Sequence, residues 1–191
     1  MRLNILLFII ISINSFSQNL QKLEENNGFR GIKLGSEISN YSSAINAESN
    51  SKLFDLYINN NFYNFSNNVN YVLDIRNDKN FESIDNAKIL GIYLSVFKGK
   101  IREIKVITEY HPYTYELLKL AYGEPNGFGK QWSGENIYCY YTIPPVDNGK
   151  KPDWAWIRFI DKLLDEQFNI EKESKLKVAK ELEQKRAISK F

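Results

Sequence analysis

The stretch from Ile89 to Gly123 limits this chain more than any other, because two apolar runs flank Lys98-Gly99-Lys100 and a helical segment follows between Pro112 and Gly123. The order reads as strand, tight turn, strand, helix. Successive side chains of a strand point to opposite faces, so a one-residue slip in the hairpin inverts every one of them. A three-residue loop sets Leu94 opposite Ile104 and Ile92 opposite Val106, which gathers Ile92, Leu94, Val96, Ile104 and Val106 on one face. Tyr93, Ser95, Glu103 and Lys105 then share the other face, and Arg102 is the misfit at the turn end. A two-residue loop would bring Glu103 and Lys105 onto the side of Leu94, mixing charge into the core. Gly99 is suited to the positive φ that such a turn demands.

Pro112 fits the first turn of the following helix, where an amide donor is not needed, and Gly123 fits a left-handed C-terminal cap. Pro125 forbids continuation. Tyr113, Leu117, Leu120 and Ala121 fall at helical spacing and are expected to close one face of the sheet.

Earlier in the chain, MRLNILLFIIISINSFSQ carries one basic residue, a short apolar run from Ile5 to Ile13, and small residues at Ser15 and Ser17. This is the pattern of a secretory leader over residues 1–17, cleaved after Ser17. The run is well short of the roughly 20 residues that cross a bilayer, so no transmembrane segment is expected in the mature chain. No cysteine near the cleavage point offers a lipid anchor. Residues 18–160 then read as a single α+β domain and 161–191 as a charged C-terminal helical extension, with the exported product periplasmic or secreted.

The formal net charge is only +2, which gives no reason to expect nucleic acid as a partner. Cys139 is the sole cysteine, so no internal disulfide forms and stability must come from packing. It lies among Ile137, Tyr138, Tyr140 and Tyr141, where a lone cysteine behaves as a small buried hydrophobe.

The segment GFRGIKLG at 28–35 reads as a short strand with flexible ends, and Ser36 as the cap of a short helix bearing Ile38, Tyr41 and Ile45. Leu53 to Ile58 and Asn70 to Ile75 read as strands joined by an extended hairpin or long loop. Asn136 to Thr142 and Trp154 to Ile160 read as two further strands, the second with Trp154, Trp156, Arg158 and Ile160 on one face. A C-terminal helix is expected from about Lys172 to Ala187, on composition and not on a wide apolar stripe.

Catalytic equipment is sparse. His111 is the only histidine, which excludes a multi-histidine metal site, and no glycine loop follows a strand in the manner that cradles phosphate. No metal or cofactor is expected. Glu103, Glu109, Glu116, Glu124 and Glu135 lie near the central unit, at positions that read as ordinary solvent positions. The aromatic set Trp132, Tyr138, Tyr140, Trp154 and Trp156 is the candidate for ligand or partner recognition, since large flat side chains anchor interfaces and stack on sugars. The competing reading of the same set is core packing on adjoining strands.

The pattern GIKLG before a Ser-led helix, a hairpin carrying FKGKIREI, then LLKLAYGEP and a later Trp, resembles small uncharacterised exported proteins of Bacteroidota. Its layout, with two related helix-plus-sheet halves beginning near Gly31 and Pro112, is distantly similar to proteinaceous beta-lactamase inhibitors and small outer-membrane assembly lipoproteins. The likeness covers most of 28–160 and rests on turn and packing motifs. The lipid-anchor cysteine and paired disulfides of those groups are missing, and the segment after Ile160 is additional. The resemblance implies a protein-binding or envelope role and brings no catalytic residue with it.

The function expected is that of an exported, non-catalytic binding or envelope-associated protein with an unknown protein or glycan partner. A carboxylate-dependent hydrolase acting on envelope or extracellular glycans is the alternative. Export carries its own check: expression of the full chain in a bacterium should yield a periplasmic or secreted product whose intact mass starts at Gln18. A product retaining residues 1–17 would overturn the leader assignment.

Overall fold

The computed structural model describes residues 20–46, 70–145 and 152–188. The leader at 1–17, the strand expected over Leu53 to Ile58 with its following loop, and Asp147-Asn148-Gly149, whose composition reads as a loop, lie outside those residues. The chain has an α+β fold with a mostly antiparallel sheet. Helix α1 covers residues 20–26. The strands are β1 (Gly28–Phe29), β2 (Ile32–Lys33), β3 (Ala44–Asn46), β4 (Tyr71–Leu73), β5 (Ser83–Ile84), β6 (Ala87–Phe97), β7 (Lys100–Glu109), β8 (Gln131–Ser133), β9 (Ile137–Thr142) and β10 (Trp154–Asp161). Helix α2 is Tyr113–Tyr122 and α3 is Lys162–Ile188. The main sheet runs β3-β4-β6-β7-β10-β9-β8, with β5 paired to β6 beside it.

The β6–β7 hairpin has the expected register, Ile92 opposite Val106 and Leu94 opposite Ile104, but reaches it by a different route. Phe97 pairs with Lys100, so the turn holds two residues, Lys98 and Gly99, both with positive φ (51° and 81°) as a twist-matched hairpin turn requires. The pairing then steps from Val96–Ile101 to Ser95–Glu103, leaving Arg102 as the extra residue of a β-bulge. The bulge restores the facing that a three-residue loop would have set. Residues 35–38 run alongside the turn: Gly35 N donates to the Ile101 carbonyl and Ile38 N to the Gly99 carbonyl, each at 2.8 Å.

One face of the sheet is the main core. Ile92, Leu94, Ile104, Val106, Ile157, Phe159 and Cys139 lie there, covered by Leu23 of α1, Ile32 and Leu34 around β2, and Leu118 and Tyr122 of α2. Phe29 stacks on Phe159 at 6.1 Å between ring centroids. Cys139 is fully buried, and burial pushes its thiol well above the usual range. Against expectation, α2 is turned so that Thr114, Leu118 and Tyr122 are buried while Tyr113 and Leu120 face solvent. The aromatic bodies of Tyr115 and Tyr122 reach Trp132, and these contacts outweigh the aliphatic stripe that spacing alone suggested.

Two other expectations are corrected. Residues 28–35 hold a miniature hairpin, β1 with β2, turned by Arg30 and Gly31, both at positive φ. The helix expected after Ser36 is a short 3-10 turn at Ile38–Asn40 followed by β3, whose pairing with β4 uses Ile45 as a strand residue. Tertiary pairing overrides a local period too short to nucleate a helix.

The C-terminal helix begins at Lys162, not near Lys172, and follows β10 without a loop. Asp161 makes this junction: its Oδ1 accepts a hydrogen bond from Leu164 N at 2.9 Å, the contact of an N-cap. From Lys172 through Ala187 every described side chain is exposed.

Gly123 ends α2 with φ 81° and ψ −169°, a region that is essentially glycine-only, and so differs from the left-handed cap expected. Gly123→Val should cost about 1–3 kcal/mol in urea melts by the strain of that backbone region. Lys98→Gly should be neutral or stabilising, since Lys98 already holds a positive φ. Equal stability of Gly123→Val and wild type would overturn this account of the helix end.

Candidate functional site

The opposite face of the sheet carries the polar side of the hairpin and four of the five candidate aromatics. Cross-strand pairing fixes who sits beside whom: Tyr93 with Lys105, Lys105 with Arg158, and Arg158 with Tyr140 form one row across β6, β7, β10 and β9. Ser95, Glu103, Ile160 and Tyr138 form the next row, and Ile107, Trp156 and Thr142 the row on the other side. Trp154 stacks on Trp156 with centroids 4.9 Å apart, and Tyr138 lies 5.8 Å from Tyr140. All four are partly buried.

Trp132 is not part of this surface. It points into the core on the other face with no exposed area, between Tyr115 and Tyr122, and its Nε1 donates to the Gly123 carbonyl at 2.7 Å. Its pairing partner Cys139 faces the same way. The alternation of β8 decides this, for Gln131 and Ser133 take the positions facing Tyr140 and Tyr138.

The polar part of the face is deeply placed. Glu103 was expected in solvent, yet it is buried together with Ser95, Lys105 and Arg102. Its Oε1 accepts from Arg158 Nε at 2.7 Å, its Oε2 accepts from Ser95 Oγ at 3.3 Å, and Arg102 Nη2 stands 3.7 Å from Oε2. Burial pushes the Glu103 carboxyl up. The charge and hydrogen bond of Arg158, with the charges of Lys105 and Arg102, outweigh that and hold it below its ordinary range.

Arg102, freed from regular pairing by the bulge, reaches α3: Nη1 binds Asp165, and the guanidinium lies 4.2 Å from the Phe168 ring centre. Phe168 in turn meets Phe97 edge-on at 5.7 Å, and Lys98 pairs with Glu171 at 3.3 Å. The first turns of α3 are therefore clamped to the hairpin tip.

The remaining carboxylates of the central unit, Glu109, Glu116, Glu124 and Glu135, are exposed. A glycosidic general acid must hold its proton near neutral pH, whereas Glu103 is kept ionised by arginines. Among the described residues no group of three or more His, Cys, Asp or Glu side chains is placed to hold a metal ion. No helix of the described residues is long and apolar enough to cross a membrane. His111 is half-buried at the junction into α2, where its carbonyl accepts from Thr114 N at 3.1 Å.

Sequence reasoning missed Glu103, Arg102 and Lys105 as members of this site. Charged residues alternating with apolar ones imply a wet face, and here Arg102, Glu103 and Lys105 are buried on it. The available signal was the density of charge opposite aromatic residues, Glu103 and Lys105 facing the Trp156–Arg158 stretch. Compared with family models, curated proteins and solved structures, the chain matches none.

Lys105 gives the site a pH signature. Burial holds its ammonium down, Glu103 raises it, and Arg158 and Arg102 lower it further, to about 8. Between about 8 and about 10 the unfolded chain holds the Lys105 proton while the folded chain releases it, so Lys105 adds stability as pH rises across that window, opposed above about 9 by the buried Cys139 thiol, which keeps its proton in the folded chain. Tyr93 and Tyr141, pushed up to about 12 by burial, add to that opposition above about 10. Urea melts at pH 7.5, 8.5 and 9.5 should show the stability of the wild type rising relative to that of Lys105→Met. Parallel profiles for the two proteins would refute it.

Proposed function

We propose that this chain is an exported, non-catalytic binding protein whose recognition surface is the aromatic sheet face of β8, β9 and β10. The observation that carries the reading is the grouping of Trp154, Trp156, Tyr138 and Tyr140 on one face around Arg158, each partly exposed, while Trp132 is spent on the core. Aromatic rings and arginine are the side chains that dominate binding hot spots. Buried ion pairs beneath them hold the scaffold in one arrangement. The leader-like segment at 1–17 and the resemblance to small exported proteins support an envelope location.

The test is a comparison of the mature chain with a Trp154→Ala/Trp156→Ala variant, each immobilised and challenged with the envelope fraction of the producing cell. A component retained by the wild type and lost by at least tenfold from a folded double variant is expected. Equal retention by both proteins would sink the proposal, as would retention of nothing by either.

A further inference from the structure

The charge and composition of this face narrow what it takes, on the premise that it is the recognition surface. Arg158 binds Glu103 through Nε, and among the described contacts its two Nη groups are left for solvent or a ligand. About a third of its side chain is exposed (35%), against 4% for Glu103, so the carboxylate fixes the guanidinium from below and the fork faces outward. Four cations gather here, Arg102, Lys105, Arg158 and Lys162, against three carboxylates, Glu103, Asp165 and, paired with Trp154, Glu109. Lys162 lies at the rim, its Nζ 4.3 Å from the Tyr138 ring centre and bonded to Ser133 Oγ at 3.0 Å. A positive excess beside a planar fork is matched to a carboxylate.

The neighbours of Arg158 distinguish a sugar from a protein. Facing the same side on β8, β9 and β10 are Gln131, Ser133, Tyr138, Tyr140, Thr142, Trp154, Trp156 and Ile160. Ile160 is the aliphatic residue of that set and Ile107 stands beside Trp156 on β7, within a cluster of Val72, Tyr93 and Ile107 that underlies the Trp pair; Ile107 and Ile160 are both buried. Protein hot spots seat their anchors in desolvated apolar pockets. This surface instead offers flat rings for the C–H faces of pyranoses, with hydroxyl and amide groups beside them for sugar hydroxyls.

We infer that the face binds an acidic polysaccharide, the Arg158 fork reading a uronate carboxylate while neighbouring sugar rings lie on Trp156 and Tyr140. The electrostatic share makes the binding sensitive to salt.

The experiment titrates the mature chain, by tryptophan fluorescence and calorimetry, with polygalacturonate, alginate, fully methyl-esterified polygalacturonate and polyglutamate. At least one uronate polymer should bind, with the ester and polyglutamate weaker by tenfold or more. Trp156→Ala should weaken the uronate tenfold or more. Arg158→Gln should do the same, and Arg158→Lys, which keeps the charge and the pairing with Glu103 while removing the fork, should weaken it about fivefold or more. Cooperative melts of all three variants establish that they are folded.

Failure of both uronates to bind overturns the inference. So does equal binding of the ester or of polyglutamate, or unchanged affinity in Arg158→Lys. Tight binding of the ester that is lost in Trp156→Ala would remove the acidic specificity and leave the recognition surface standing. A protein as the retained envelope component, with no response to any of the four polymers, would remove the glycan inference alone.

Discussion

The structure depends on a single extra residue. Because Arg102 is inserted opposite no partner, the β6–β7 hairpin can combine a two-residue turn with a register that keeps its aliphatic side intact. The same insertion sends the Arg102 side chain to Asp165 and Phe168, which fixes the start of α3, and leaves Glu103 turned inward among three cations. Removing either sign from such a buried cluster strands the other, a cost of about 3–5 kcal/mol in buried pairs. The bulge thus links sheet register, helix placement and the electrostatics of the aromatic sheet face.

A second link runs through Gly123. Its backbone ends α2, and its carbonyl accepts the indole hydrogen of Trp132. Helix length and the seating of the largest core side chain are thereby set at one position. This explains how a chain with one cysteine and no possible internal disulfide holds α2 against the sheet.

Much of the fold was legible in the sequence, and for physical reasons. The facing of Ile92 with Val106 follows from period-two alternation, and β9 and β10 from their β-branched and aromatic runs. What was illegible came from tertiary context. Nothing local shows that Thr114 and not Leu120 turns inward, because the decision lies with Trp132 on a later strand. The start of α3 was legible in principle, since Asp161 three residues before Leu164 is an N-cap signal, but the strand reading of WAWIRFI obscured it. For the site, alternation placed Trp154, Trp156 and Arg158 on one face. The same rule applied to β8 would have separated Trp132 from them.

The uninterrupted passage from β10 into α3 has a mechanical consequence. A strand that becomes a helix at Asp161, with no loop between, passes any torque on the helix straight to the strand bearing Trp154, Trp156 and Arg158. The helix of 27 residues is about 40 Å long, and its first turns are clamped to the hairpin tip. It is a stiff boom with its bearing at Arg102 and Phe97. A load on the helix therefore reaches the aromatic face through continuous backbone, with no loop to absorb it.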